Sequence, residues 1–246
     1  MIEDRGKGHR TVLLLHGAGS SRLMWIPQLE RLSDEFRVVA IDLPGHGSRR
    51  DEAFTVEASV GAAAGWVSSS GAGPVLAVGL SAGGYVALAL ADQQPDLVAG
   101  MVLSGSSAAY TGWGGLSTRL YGVAVGLIGK RIGAKMDSSL RDVVGEPLAS
   151  QILAEPGSPK AAGQALRNIP GRDYRGMAAR FQGPVLVLNG ERDSVNRDEQ
   201  DDLLAVLQDG RLQIVDDGGH ACSMTRPDAF SNAVRTFAHH AVWPGA

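Results

Sequence analysis

The sequence predicts an α/β fold: a mostly parallel central sheet flanked by helices, with a helical insertion. Three observations carry this prediction. Short continuous apolar runs alternate with stretches of helical spacing, the pattern of strands buried on both faces and the helices that cover them. Each apolar run ends in a polar or glycine-rich segment, which gathers these segments beyond the carboxyl ends of the strands. The rhythm stops over 106–180, where no strand pattern appears, and then returns. The chain therefore divides into a core of 1–105 and 181–246 and a helical cap over 106–180.

Thr11–Leu15 is the first apolar run, followed by His16-Gly17-Ala18-Gly19. Ile26–Leu32 has helical spacing. Phe36–Ile41 is the second strand and runs into Asp42-Leu43-Pro44-Gly45-His46-Gly47-Ser48. A small-residue helix over Val56–Ser70 precedes the third strand, Pro74–Val78. The helix Ala82–Gln93 comes next, and Val98–Leu103 is the fourth strand. Within the insertion, helices are expected at Leu116–Ile132, Ser138–Ala154 and Lys160–Asn168, with Gly and Pro between them. Pro184–Leu188 restarts the strands and runs into Asn189-Gly190. Asp198–Leu207 is a helix, Leu212–Val215 the last strand and Asp228–His239 the last helix. The right-handed crossover rule limits how these units connect.

The 246 residues suffice for one sizeable α/β domain. Hydrophobic residues make up 44% and charged residues 20%, and a net charge of -3 gives no reason to expect nucleic acid or an anionic membrane as partner. No apolar run is long enough to span a bilayer, and Met1–Arg5 lacks the apolar stretch of a secretory signal. The single Cys222 cannot form an internal disulfide, which points to a reducing, cytoplasmic setting.

The stretch Val75–Gly84 carries the chemistry. Its turn, Gly79-Leu80-Ser81-Ala82-Gly83, matches G-x-S-x-G, a serine on a tight strand-to-helix turn. Glycines two residues either side leave room for that turn, and the helix N-terminus sets N–H groups near the oxygen that becomes charged. A serine hydroxyl needs a base, and the base needs a partner that fixes its tautomer. His9 sits in a polar N-terminal segment, and His239 and His240 lie at the end of the last helix. His16 and His46 occupy loops where structural support is the simpler role. His220, in Asp216-Asp217-Gly218-Gly219-His220, follows the last strand at the same sheet edge as Ser81. The acid is expected from Asn189-Gly190-Glu191-Arg192-Asp193: Asp193 fits, Glu191 competes, and Asp198 falls in the following helix. The loop after Leu103 offers only Gly and Ser. Two backbone N–H groups must hold the oxyanion. Ala82 supplies one, and Ala18 the other, with Gly19 as its alternative.

The matching pieces are H-G-A-G at 16–19, D-L-P-G-H-G-S at 42–48, G-L-S-A-G-G at 79–84, N-G-E-R-D at 189–193 and G-G-H at 218–220. On these, in this order, the chain resembles the α/β-hydrolase fold superfamily, of the small capped type, from about residue 10 to 240. The resemblance implies a mostly parallel sheet, usually of eight strands with the second antiparallel. The short segment before Thr11 implies that the first two strands are truncated or absent. The family commonly has Met after the nucleophile, where this chain has Ala82. A serine at the elbow separates the chain from the family's haloalkane dehalogenases and epoxide hydrolases, which use aspartate there.

The expected reaction is hydrolysis of a carboxylic ester, lactone or thioester of a small to medium, mainly apolar molecule. The same triad in the family also serves C–C hydrolysis, carboxylate elimination and cofactor-free perhydrolysis, and a receptor that binds ligand with little turnover is the reading from another class. Candidate pocket residues are Gly19, Met24 and Trp25, in or just after the loop that holds the oxyanion, and Tyr110, Trp113 and Tyr121 of the insertion, where large amphipathic rings often meet ligands. Gly112, Gly114 and Gly115 are expected to make the cap's entry mobile, and Arg22, Arg119 and Arg131 are candidates for a substrate carboxylate. No cofactor or metal is expected, since no carboxylate or His group has ligand spacing, and Cys222 stands alone. The expected partner is a small-molecule substrate, with the chain as monomer or homodimer.

Overall fold

In the computed structural model, which describes residues 1–127, 137–138 and 140–245, seven strands form one sheet. They are β1 (Ile2–Arg5), β2 (Thr11–Leu15), β3 (Arg37–Ile41), β4 (Val75–Leu80), β5 (Val98–Ser104), β6 (Pro184–Gly190) and β7 (Asp209–Val215). Their spatial order is β1-β3-β2-β4-β5-β6-β7. Only β1 is antiparallel, with Ile2 opposite Ile41 and Arg5 opposite Val38. The chain leaves β2 for β3 on one side and then returns to place β4 on the other. The crevice beyond the carboxyl ends of β2 and β4 is therefore the topological switch point, where open α/β sheets bind ligands.

β1 is one short edge strand in a sheet of seven, as expected where the first two of the eight strands implied by the resemblance are truncated or absent. It holds a single apolar residue, Ile2, and is secured by the Arg37–Asp4 ion pair at 2.7 Å.

Alternation along the strands builds two cores. Leu13 and Leu15 join Val39, Ala77 and Met101 beneath the helices Val56–Ser70 and Ala82–Gln93. Val12 and Leu14 join Val38, Leu76 and Val102 beneath Ile26–Leu32 and Pro227–Phe237, with Trp25 and Phe230 tilted together at 5.9 Å. No helix among the described residues is long and apolar enough to cross a membrane.

Between β5 and β6 the described residues hold helices and no strand. Gly112–Leu127 starts four residues before the expected helix, and the stretch from 128 to 132 lies outside the described residues. The expected helix over 138–154 is interrupted by Gly145 at φ 79, after which Glu146–Ile152 begins. Pro159–Asn168 follows the side-chain cap of Ser158, and a further helix, Tyr174–Arg180, is capped by Asp173, which accepts the Gly176 N–H at 2.9 Å. That last helix carries no strong apolar period, and the sequence pattern does not predict it. The helix after β6 spans Ser194–Leu204, so it starts and ends earlier than the apolar spacing suggests.

Candidate active site

Ser81 is held at φ 53, ψ -118, the strained geometry of a sharp elbow. Its N–H donates to Ser104 O at 2.8 Å, and its carbonyl accepts from Ser106 Oγ at 3.0 Å. The glycines around it are sterically required. A Cβ on Gly79 would stand 2.4 Å from the Gly83 carbonyl, and one on Gly83 only 2.0 Å from Leu15 O. The elbow thus packs directly on the end of β2. A Cβ at Gly17 would stand 3.6 Å from Ser81 Cβ, which places the His16–Ser21 loop beside the nucleophile candidate.

His220 Nδ1 lies 2.8 Å from Asp193 Oδ2. Asp193 is only 6% exposed. Burial alone would raise its pKa, but the hydrogen bonds from His220 and Asn196 outweigh that and hold it below the ordinary carboxylate value. Gly105, just past β5, closes the back of this pair: a Cβ there would stand 2.7 Å from His220 Cε1. Glu191 points elsewhere, accepting the Asp217 N–H at 2.9 Å, and Asp198 lies within the helix Ser194–Leu204.

Ala18 and Ala82 both lie at this edge. Ala82 opens the helix Ala82–Gln93. Among the described residues neither the Ala18 nor the Ala82 N–H has a backbone or side-chain partner. Gly19 is different: its N–H donates to His46 Nε2 at 2.9 Å, so it is already committed. His46 and His16 bind the two loops reciprocally, because His16 Nε2 accepts the Leu43 N–H at 3.0 Å. Both imidazoles are fully buried and held neutral by burial, His46 with its pKa pushed down to about 3. They stabilise the loop, as the sequence suggests.

One cavity of about 360 Å³ joins these parts. Ser81 and His220 belong to its wall together with Gly17, Ala18 and Gly19. Met24, Leu80 and Met224 line it from the core, and Leu140, Ile152 and Leu153 from the segment between β5 and β6. The surface is therefore mainly apolar.

The large aromatic candidates lie elsewhere. Trp25 is fully buried against Phe230, and Tyr110 packs on Tyr85 with ring centroids 5.8 Å apart. Trp113 and Tyr121 are 86% and 61% exposed. The reason is the close crossing of their helix with Pro159–Asn168 at Gly122, where a Cβ would stand 2.8 Å from Leu166 Cβ. Small residues face inward there and the rings face out. Gly114 and Gly115 lie inside that helix rather than in a loop. Arg22 is buried in ion pairs with Asp42 and Glu155, Arg119 donates to Pro170 O, and Arg131 lies outside the described residues.

Sequence reasoning missed three supporting residues. Asn196, Asn189 and Gly105 form a buried set behind Asp193, with the Gly105 N–H donating to Asn189 Oδ1 at 3.0 Å. An asparagine ending the apolar run Val185–Leu188 is the one available signal. Cys222 is buried, and burial pushes its thiol pKa up, as for an inert packing residue. Among the described residues no three His, Cys, Asp or Glu side chains gather as a metal site requires.

Residues 12–233 match the model of a family described as the alpha/beta hydrolase family. The chain is 30% identical to the pimeloyl-[acyl-carrier protein] methyl ester esterase of Neisseria meningitidis serogroup B (strain H44/76), over 93% of this chain and 92% of that protein. It is 30% identical to the protein of the same name from Methylococcus capsulatus, over 96% and 97%. Among solved structures, a thermophilic esterase from Thermogutta terrifontis, with malate bound, superposes with a TM-score of 0.82 at 29% identity, covering 96% of this chain and 92% of that one.

Proposed function

The chain belongs to the alpha/beta hydrolase family, and on that premise we propose that it is a serine hydrolase cleaving a carboxylic ester, lactone or thioester of a small to medium, mainly apolar substrate. The observation that carries the proposal is the shared cavity, in whose wall Ser81, on its strained elbow, lies with a His220 hydrogen-bonded to the buried Asp193.

In this reading the Ser81 Oγ attacks the carbonyl carbon and its proton passes to His220. Asp193 keeps His220 in the tautomer with Nδ1 protonated, so that Nε2 is the base, and stabilises the charged ring. The Ala18 and Ala82 N–H groups hold the tetrahedral oxyanion. Each such donor contributes roughly 3 kcal/mol to the transition state. His220 returns the proton to the leaving alcohol, an acyl-Ser81 remains, and water activated by His220 releases the acid. Residues 106–180 serve as the cap, which the presence of Leu140, Ile152 and Leu153 in the cavity wall supports.

The Neisseria and Methylococcus relatives are named for cleaving a methyl ester, which favours carboxylic esters within the class. The test is intact mass after incubation with a fluorophosphonate. One adduct on the wild type and none on Ser81→Ala is the expected result. A folded wild type without an adduct would instead favour a ligand-binding protein with little turnover.

A further inference from the structure

One arrangement in the cavity wall has no part in the chemistry above. Gly19 is gripped on both sides of its backbone. Its N–H donates to His46 in the core, and its carbonyl accepts the Ser158 N–H at 2.9 Å. Ser158 lies in the segment leading into the helix Pro159–Asn168. Three residues earlier, Glu155 Oε1 meets Arg22 Nη1 at 2.6 Å. Between them, Gly157 passes so close to the loop that a Cβ there would stand 2.8 Å from the Gly19 carbonyl oxygen.

We infer that Glu155, Gly157 and Ser158 form a strap that positions the oxyanion loop, aligning the Ala18 N–H on the reacting carbonyl while the strap is seated on Gly19. This rests on the ester-hydrolase reading. The loop Gly17-Ala18-Gly19 has two glycines and little intrinsic stiffness, whereas a donor to an oxyanion acts only when it is held in place beforehand. His46 fixes the peptide between Ala18 and Gly19. The strap fixes the next one.

Arg22 is the post to which the strap is tied. Its backbone N–H donates to Asp42 Oδ1 at 2.9 Å and its Nη1 to Asp42 Oδ2 at 2.6 Å, and its side chain is 4% exposed. The Glu155 Oε2 is buried and has no hydrogen-bond partner among the described residues, so Arg22 holds that carboxylate alone. Glu155, Gly157 and Ser158 also line the cavity. A bound acyl group and the oxyanion loop therefore share one neighbour.

Gly157→Ala is the direct test. Its φ lies outside the left-handed region, so alanine fits the backbone. The Gly19 carbonyl oxygen is the one atom within 4 Å of the added Cβ among the described residues. The substitution wedges strap from loop and meets nothing else. Wild type is first checked for turnover of p-nitrophenyl butyrate and for a single fluorophosphonate adduct on Ser81. Gly157→Ala is expected to lower kcat about tenfold or more, with KM within about twofold and Tm unchanged. Gly61→Ala, whose Cβ meets nothing within 4 Å, is expected to keep wild-type kcat. Glu155→Ala is expected to lower kcat as Gly157→Ala does, and Glu155→Gln, which keeps an oxygen for Arg22, to recover most of the loss. Wild-type kcat in both Gly157→Ala and Glu155→Ala overturns the strap. So does a loss seen only in KM, or one explained by a smaller labelled fraction and a lower Tm. A wild type that neither turns over nor labels overturns the ester-hydrolase reading, and the strap with it.

Discussion

Asn196 Nδ2 contacts both oxygens of Asp193, at 3.1 Å to Oδ1 and 2.9 Å to Oδ2. Its own Oδ1 accepts the Ser107 N–H at 2.9 Å. That backbone donor fixes which way the amide points, since a flip would set N–H against N–H. Asp193 is thus held by Asn196 as well as by His220, and both contact its Oδ2. Asn196→Leu removes a hydrogen bond to a charged group, worth about 1.5–3 kcal/mol, and is expected to cut kcat/KM roughly 10–100-fold. Kinetics corrected for the fluorophosphonate-labelled fraction check this. Undiminished kcat/KM would show that His220 alone suffices to orient the carboxylate.

The choice of acid is separable from its neighbours. Asp193→Asn is expected to lose about 10⁴ in kcat, because an amide at that place favours the wrong imidazole tautomer. Glu191→Gln is expected to stay near wild type, because Glu191 is exposed and among the described residues its side chain accepts only the Asp217 N–H. The reverse result would transfer the role to Glu191.

The contrast between framework and pocket follows from what each depends on. β2 and β4 are legible because every residue in them is buried, which forces a continuous apolar run. The elbow is legible because its glycines answer to contacts of 2.0 and 2.4 Å that no side chain tolerates. His220 and Asp193 are legible because both follow strands of one sheet edge. β1 is not, since an edge strand with three exposed residues has no alternation to show. The pocket wall is not, because it depends on how the helices between β5 and β6 cross. The crossing at Gly122 turns Trp113 and Tyr121 outward and leaves Leu140, Ile152 and Leu153 on the cavity. Aromatic content signals apolar area, not the direction in which a helix presents it.

Two classes of glycine are expected to respond oppositely to alanine. Gly61 and Gly65 lie on the exposed side of the helix Val56–Ser70, and a Cβ at either meets nothing within 4 Å. Alanine there restricts the unfolded chain and is expected to stabilise by about 0.5–1 kcal/mol per site. Gly83→Ala must instead push the elbow off Leu15 O and is expected to destabilise by more than about 3 kcal/mol and abolish Ser81 labelling. Urea denaturation of the three variants settles the comparison. A stable, labelled Gly83→Ala would mean that the elbow moves freely on β2.

Acid sensitivity should trace to the paired imidazoles. His16 and His46 lie with ring centroids 4.8 Å apart, both buried and both with pKa lowered chiefly by burial, His46 to about 3. In the unfolded chain each takes a proton as pH falls through its ordinary value of 6.5. Folded His46 stays neutral until near pH 3, so between these values the unfolded state binds more protons and stability falls as pH falls. The slope is about 1.4 kcal/mol per pH unit for His46 across this interval, and His16, lowered by the same burial, adds in the same direction. Asp42 and Asp193, whose folded pKa values are lowered, contribute in the same direction only below their ordinary 3.8. Urea midpoints at pH 7, 6 and 5 should therefore drop steeply before the carboxylates titrate. His46→Gln keeps an acceptor for the Gly19 N–H but cannot be protonated in this range, so its midpoint should fall less over the same interval, whatever its stability at pH 7. A wild type whose midpoint is flat from pH 7 to 5 would contradict buried, neutral imidazoles at the base of the His16–Ser21 loop.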